Sequence, residues 1–242
     1  MNEADAIQRH WARLVGLSYV LALAPAVFAE FYVGGLVSDN AVVTAQNIIA
    51  HERLYRTGIA ANLLVFAVDV LLITSLYVVL ERVNRRLALL AAFFRLMETT
   101  ILIVAALNDF YVLRLLGAGN YVSAVDPAVL AALARVSIGA HGSAYGVALI
   151  LFGFGSSVFC YLWLKSGYIP RPLAAFGLIA SVWIGVCSFS FVVFPELTRI
   201  LGVGYYGGPI FLFELTVGLW LLIKSIRQPA APDYSSGLAA VE

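Results

Sequence analysis

Six apolar runs, each about as long as a bilayer is thick, divide most of this chain. They cover residues 12–32, 57–80, 87–107, 138–164, 172–194 and 208–226. About 20 residues of α-helix cross the ~30 Å hydrocarbon core at a rise of 1.5 Å per residue. Strands with open edges are excluded there, because lipid offers no partner to an unpaired backbone group. The expected fold is therefore all-α: an integral membrane bundle of six transmembrane helices, forming one domain over residues 1–227. Composition agrees, since only 12% of the 242 residues are charged and mean hydropathy is +0.93. A soluble domain carries about twice that share of charge.

The net charge of +1 predicts no nucleic-acid partner. The lipid bilayer is the partner that the composition implies. Cys160 and Cys187 both fall in apolar runs and read as small buried hydrophobes. The segment QPAAPDYSSGLAAVE, residues 228–242, has no periodicity and is expected to be a disordered C-terminal tail.

Lysine and arginine placement predicts the direction of the spans. Arg9, Arg13, Arg82, Arg85, Arg86, Lys165, Arg171, Lys224 and Arg227 fall on one side, in short connections. Arg53, Arg56, Arg114, Arg135 and Arg199 fall on the other, in longer ones. The denser side is expected to be cytoplasmic, with both termini inside. Trp11, Trp163 and Trp220 would then mark the inner interface, and Tyr32, Tyr111, Tyr205 and Tyr206 the outer one. The AVFAE at 26–30 has the small-residue spacing of a leader-cleavage site, but Glu3 and Asp5 and the length of the run favour a retained helix.

The run 87–107 contains both signs of charge. Its eleven Leu, Ile, Phe and Val residues favour insertion by about 0.3–0.6 kcal/mol each, while a central Arg and a carboxylate oppose it by about 2.5–3.5 kcal/mol each. The balance is near zero, so Arg95 and Glu98 need neighbours. The turn at 81–86 makes a hairpin of the second and third spans, and reflection through it brings Asp69 close to residue 98 in depth. A buried charge cluster of Asp69, Arg95 and Glu98 is expected, with Arg95 and Glu98 sharing a face at i,i+3.

Two outer segments look alike. Asn40 and Asp126 are each a helix-capping residue, and a short amphipathic run follows each. Both then reach I-x-A-H-x-x-x-Y, at Ile48, Ala50, His51 and Tyr55, and at Ile138, Ala140, His141 and Tyr145. This predicts two short amphipathic helices on the outer side, with His51 and His141 at matching depth and facing each other. Gly142 and Gly146 suggest close packing beside His141. Glu30, Asn108, Asp109, Glu196 and Glu214 map to the same end. Ligand-binding residues Glu30, His51, Tyr55, His141, Tyr145 and Glu214 would line an outward-facing polar pocket for a small molecule, lipid or ion, as in a carrier, receptor or sensor. This reading expects binding rather than catalysis, with no cofactor. The alternative is a metal-dependent intramembrane enzyme with His51 and His141 as zinc ligands, or a heme in their place.

HERLYR lacks the second histidine of H-E-x-x-H; Glu52 and Arg56 read as an i,i+4 pair. FGFGSS at 152–157 is neither a nucleophile elbow nor a phosphate loop. Taken in order, FAE, IIAHERLYR, AVDVLL, LALLAAFFRLMET, AHGSAYG and SGYIPRPLAAFG resemble one bacterial multi-spanning membrane family, catalogued as domain of unknown function 4386, over residues 10–228. The resemblance implies six spans, a retained first span and the bacterial cytoplasmic membrane. It singles out Glu30, His51, Glu52, Arg56, Asp69, Arg95, Glu98 and His141, and implies no activity.

Overall fold

A computed structural model describes residues 3–117 and 125–227 of the protein. The expected tail at 228–242 lies outside the described residues. Every regular element among them is helical. Helix α1 spans Glu3–Phe28 and continues as a π-turn, Ala29–Val33, and a 3-10 turn, Gly34–Leu36. Then come α2 (Ala41–Ala50), α3 (Glu52–Leu116), α4 (Pro127–Ser166) and α5 (Arg171–Val193). Two one-turn helices, α6 (Leu197–Ile200) and α7 (Val203–Tyr206), lead into α8 (Gly208–Ile223).

Among the described residues, four stretches are long and apolar enough to cross a membrane: Asp5–Leu36, Glu52–Leu116, Pro127–Ser166 and Arg171–Val193. Helix α8 is apolar but has only 16 residues, about 24 Å at 1.5 Å per residue, and stops short of the expected 226. The apolar runs 57–80 and 87–107 are the two arms of α3. Between them Asn84 is extended, with φ −162° and ψ 103°. Its Oδ1 accepts a 3.0 Å hydrogen bond from the Leu87 amide, which caps the second arm. The arms fold back on each other. Tyr55 meets Asp109, and Asp69 meets Arg95; the members of each pair lie equally far on either side of position 82.

Asn40 accepts hydrogen bonds from the Val42 and Val43 amides and so starts α2; Asp126 accepts one from Ala128 and starts α4. From there the two similar segments diverge. His51, at φ −120° and ψ 37°, separates α2 from α3. Helix α4 instead runs unbroken past His141. Only the first of the two expected short amphipathic helices is separate. The second is the opening of a 40-residue helix. At the other end of α4, Gly167 adopts φ +65°, the left-handed conformation that ends helices at little cost.

Small residues set the helix spacing. A Cβ on Gly16 of α1 would lie 2.7 Å from the Gly218 carbonyl oxygen of α8, and one on Gly153 of α4 2.6 Å from the Gly185 Cα of α5. Gly155 faces Ala91 and the stem of Arg95. Gly142 and Gly146 differ from expectation: among the described residues nothing lies within 4 Å of a Cβ at either, so none of the described helices packs closely there. Trp163 is also not an interface residue. It is 1% exposed, in the main core, with its ring edge-on to Tyr168.

The bundle end holding the N-terminus is tied by polar contacts. Gln8 Nε2 donates to the Val79 carbonyl (3.0 Å) and to the Tyr168 hydroxyl (3.1 Å), and the Arg227 amide donates to the Tyr168 carbonyl (2.8 Å). The opposite end has a small apolar cluster around Ile48, Tyr55, Ile59 and Val112. Backbone contact at Gly16 gives a test. Gly16→Ala should lose about 1–3 kcal/mol, the usual penalty for overpacking, and unfold at a lower temperature in detergent. Gly142→Ala, with open space around it, should leave the unfolding temperature unchanged.

Candidate functional site

Between α1, both arms of α3, α4, α5 and α8 lies a cavity of about 650 Å³. Its mouth is at the end away from the N-terminus, at Glu30, Gly34, Tyr55, Asp109, His141 and Tyr206. Its floor lies among Tyr19, Asp69, Arg95, Glu98, Phe152 and Glu214.

The floor is charged. Arg95 Nη1 is 2.9 Å from Glu98 Oε2, and Nη2 is 3.8 Å from Asp69 Oδ1. Arg95, Glu98 and Asp69 are 3, 4 and 7% exposed. The Arg95–Glu98 contact is a close ion pair that is off the axis of a hydrogen bond. The guanidinium carbon also lies 4.3 Å from the centroid of the Phe152 ring, within cation–π range. Sequence position explains the convergence: Arg95 and Glu98 share a face at i,i+3, and Asp69 reaches them across the α3 hairpin. Gly155 of α4 leaves room for the Arg95 stem.

A second polar group stands at the mouth. Tyr55 donates a 3.0 Å hydrogen bond to Asp109 Oδ1, and His141 Nδ1 lies 3.0 Å from Asp109 Oδ2. The rings of His141 and Tyr145 stack with centroids 6.4 Å apart. Asp109 thus joins both arms of α3 to α4. The sequence places Asp109 at this end, and the structure adds that it organises the group. The signal was present, because Tyr55 and Asp109 mirror each other about the same turn that relates Asp69 and Arg95.

Glu30 reaches the mouth from the π-turn that follows Pro25 in α1. Proline lacks the amide that a regular turn needs, and π-turns redirect helices at such places. Glu214 enters the floor two turns into α8. Neither carboxylate has an ion-pair partner within 4.0 Å among the described residues.

His51 is a correction. It caps the end of α2, is exposed, and points Nδ1 at the Asn47 carbonyl, 3.0 Å away. It is not on the cavity wall, so the expected facing pair of His51 and His141 is not formed there. The reason is the break at His51, which turns the backbone where α4 continues straight. No group of three or more His, Cys, Asp or Glu among the described residues is arranged to hold a metal ion. Glu52 and Arg56 pair at 2.7 Å on the exposed surface, away from the cavity.

The floor cluster makes a sharp prediction. Arg95→Met should cost about 3–5 kcal/mol, because it leaves two carboxylates buried without a counter-charge. Folded yield in detergent should fall steeply. Adding Asp69→Asn and Glu98→Gln removes those charges and should restore most of the yield. A harmless Arg95→Met would overturn the cluster's structural role.

Residues 14–225 match the family described as Domain of unknown function (DUF4386). No curated protein and no solved structure matches the chain. With nearly nine-tenths of its length covered by that match, the protein is a member of the DUF4386 family.

Proposed function

We propose that this protein is a six-span membrane protein of the bacterial cytoplasmic membrane. Both termini are cytoplasmic, and an outward-facing cavity binds a small molecule, lipid or ion. It would act as a carrier, receptor or sensor rather than as a catalyst. The observation that carries the binding reading is the cavity itself: about 650 Å³, with charged groups on its floor and a polar group at its mouth. Ligand sites are commonly cavities of about 300–1,000 Å³ with a few polar groups on mostly apolar walls. Ionisable groups at membrane depth are retained at a cost, which makes function the default reading.

Direction rests on charge. The N-terminal segment, the turn at Asn84, the α4–α5 connection and the chain just after α8 together carry most of the lysine and arginine, as a cytoplasmic face does. The cavity mouth is at the other end. Splitting α3 at Asn84 and counting α8 as a short span gives six crossings and brings both termini to the same side.

Cysteine labelling in intact cells tests depth and direction together. The native Cys160 and Cys187 are buried at 2 and 3% exposure, so wild-type protein gives the unlabelled baseline. Gly34→Cys at the mouth and Ala26→Cys inside the cavity should react with a membrane-impermeant maleimide added outside. Arg85→Cys, on the opposite turn, should react only after permeabilisation. The reverse pattern overturns the orientation, and an unreactive Ala26→Cys beside a reactive Gly34→Cys overturns the open cavity.

A further inference from the structure

We infer that the cavity selects an organic cation: a singly charged, weakly hydrated centre on an apolar body, held beside Glu214. The inference rests on the binding reading above and names the ligand's chemistry.

Charge balance comes first. The wall carries five carboxylates, Glu30, Asp69, Glu98, Asp109 and Glu214, against one guanidinium and one imidazole. Even a protonated His141 leaves it three positive charges short. Arg95 is engaged by Asp69 and Glu98, and His141 by Asp109. Glu214 therefore remains on the floor with no ion-pair partner within 4.0 Å among the described residues, Arg95 acting on it only from further off. Glu98, 4% exposed and facing the cavity, makes an ion pair but no aligned hydrogen bond through Oε2. A carboxylate away from water is costly unless a proton or a positive charge joins it, and a bound cation is the partner that leaves it ionised. An anionic ligand would worsen the deficit.

The walls give a second and independent indication. Aromatic rings line the space at several depths, among them Tyr19, Phe66, Phe152, Tyr145 and Phe211. Ring faces attract ammonium-like cations, most strongly where water is excluded. Phe152 already holds the Arg95 guanidinium in this way. The size of the space is the third. About 650 Å³ is far larger than a bare inorganic ion needs, and it suits a body of drug-like size.

Two ions of nearly equal size and opposite charge test the idea: tetraphenylphosphonium and tetraphenylborate. Each is measured separately by equilibrium dialysis against purified full-length protein in nanodiscs, with empty nanodiscs subtracted. The slimmer benzyltriethylammonium serves as a second cation. At least one cation should bind saturably at one site per chain, and tetraphenylborate should show no saturable site. Glu214→Gln should weaken cation binding by at least about tenfold, since a buried charge partner is worth more than the 1.4 kcal/mol that tenfold requires. Glu30→Gln, at the exposed mouth, should weaken it only by about two- to threefold, in line with an exposed charge pair.

If borate and cation bind alike and Glu214→Gln changes neither, the cation assignment is overturned while the cavity reading stands. If neither cation has a saturable site, the assignment is overturned, and labelling of Ala26→Cys decides whether the cavity reading falls with it. Should Glu214→Gln fail to fold, charge selectivity of the wild-type protein decides: cation over borate supports the assignment, and no preference overturns it.

Discussion

Arg95 has to be neutralised inside an apolar bundle, and much of the architecture follows from how that is done. A charge in a low-dielectric interior is tolerable only beside opposite charge at close range. Glu98 meets this need one turn further along the same helix. Asp69 meets it from the facing arm, and only one hairpin register allows that. Tyr55 and Asp109 obey the same register about four turns nearer the mouth. The pair of contacts therefore fixes how the two arms of α3 lie along each other. Apolar side chains alone would permit sliding, because one leucine resembles the next.

The same cluster explains why the helices around it do not close completely. Arg95 is long, and its stem and head occupy the bundle centre beside Phe152. Gly155 yields the space its stem requires. On the N-terminal side of this level the bundle is packed, with Trp163, Leu162, Val79 and Leu80 at 0–1% exposure. On the other side the carboxylates of Glu214 and Asp109 face inward, and like charges resist being drawn together. Packed core and cavity thus meet at the level where Arg95 sits.

Sequence legibility follows the size of the energies involved. The long apolar runs and the Asp69–Arg95–Glu98 cluster could be read because several kcal/mol stand behind each, and a hairpin maps one arm onto the other by simple reflection. Asp109 obeyed the same reflection, but a carboxylate near a helix end carries no such alarm and was grouped only with its end of the bundle. His51 was misleading for another reason. Its letters match those around His141, yet the backbone breaks at one histidine and continues through the other. Eight residues of similar spelling do not specify φ and ψ. Gly142 and Gly146 misled likewise, since close approach needs a second helix and a sequence does not say where that helix lies. Trp163 shows that an indole near a span end can serve the core as readily as the headgroup layer.

Irregular backbone gives a last constraint on where a ligand can sit. Unpaired amides and carbonyls are not tolerated against lipid, and survive at membrane depth only in protein or beside a polar cavity. Two irregular stretches occur at the mouth end. One is the π-turn and 3-10 turn over 29–36; the other is the connection over 194–207 with its one-turn helices. Both contribute residues to the cavity wall, Glu30 and Gly34 from the first, Val203 and Gly204 from the second. Regular helices elsewhere satisfy their own backbones and could face lipid freely. The backbone departs from regular helix beside the cavity, and turn hydrogen bonds such as Val37 N–H to Gly34 O, Leu197 N–H to Phe194 O and Tyr205 N–H to Gly202 O hold it there. The irregular mouth and Glu214 beneath it therefore border one cavity, the mouth closing its turns with hydrogen bonds within the chain and Glu214 having no ion-pair partner within 4.0 Å among the described residues.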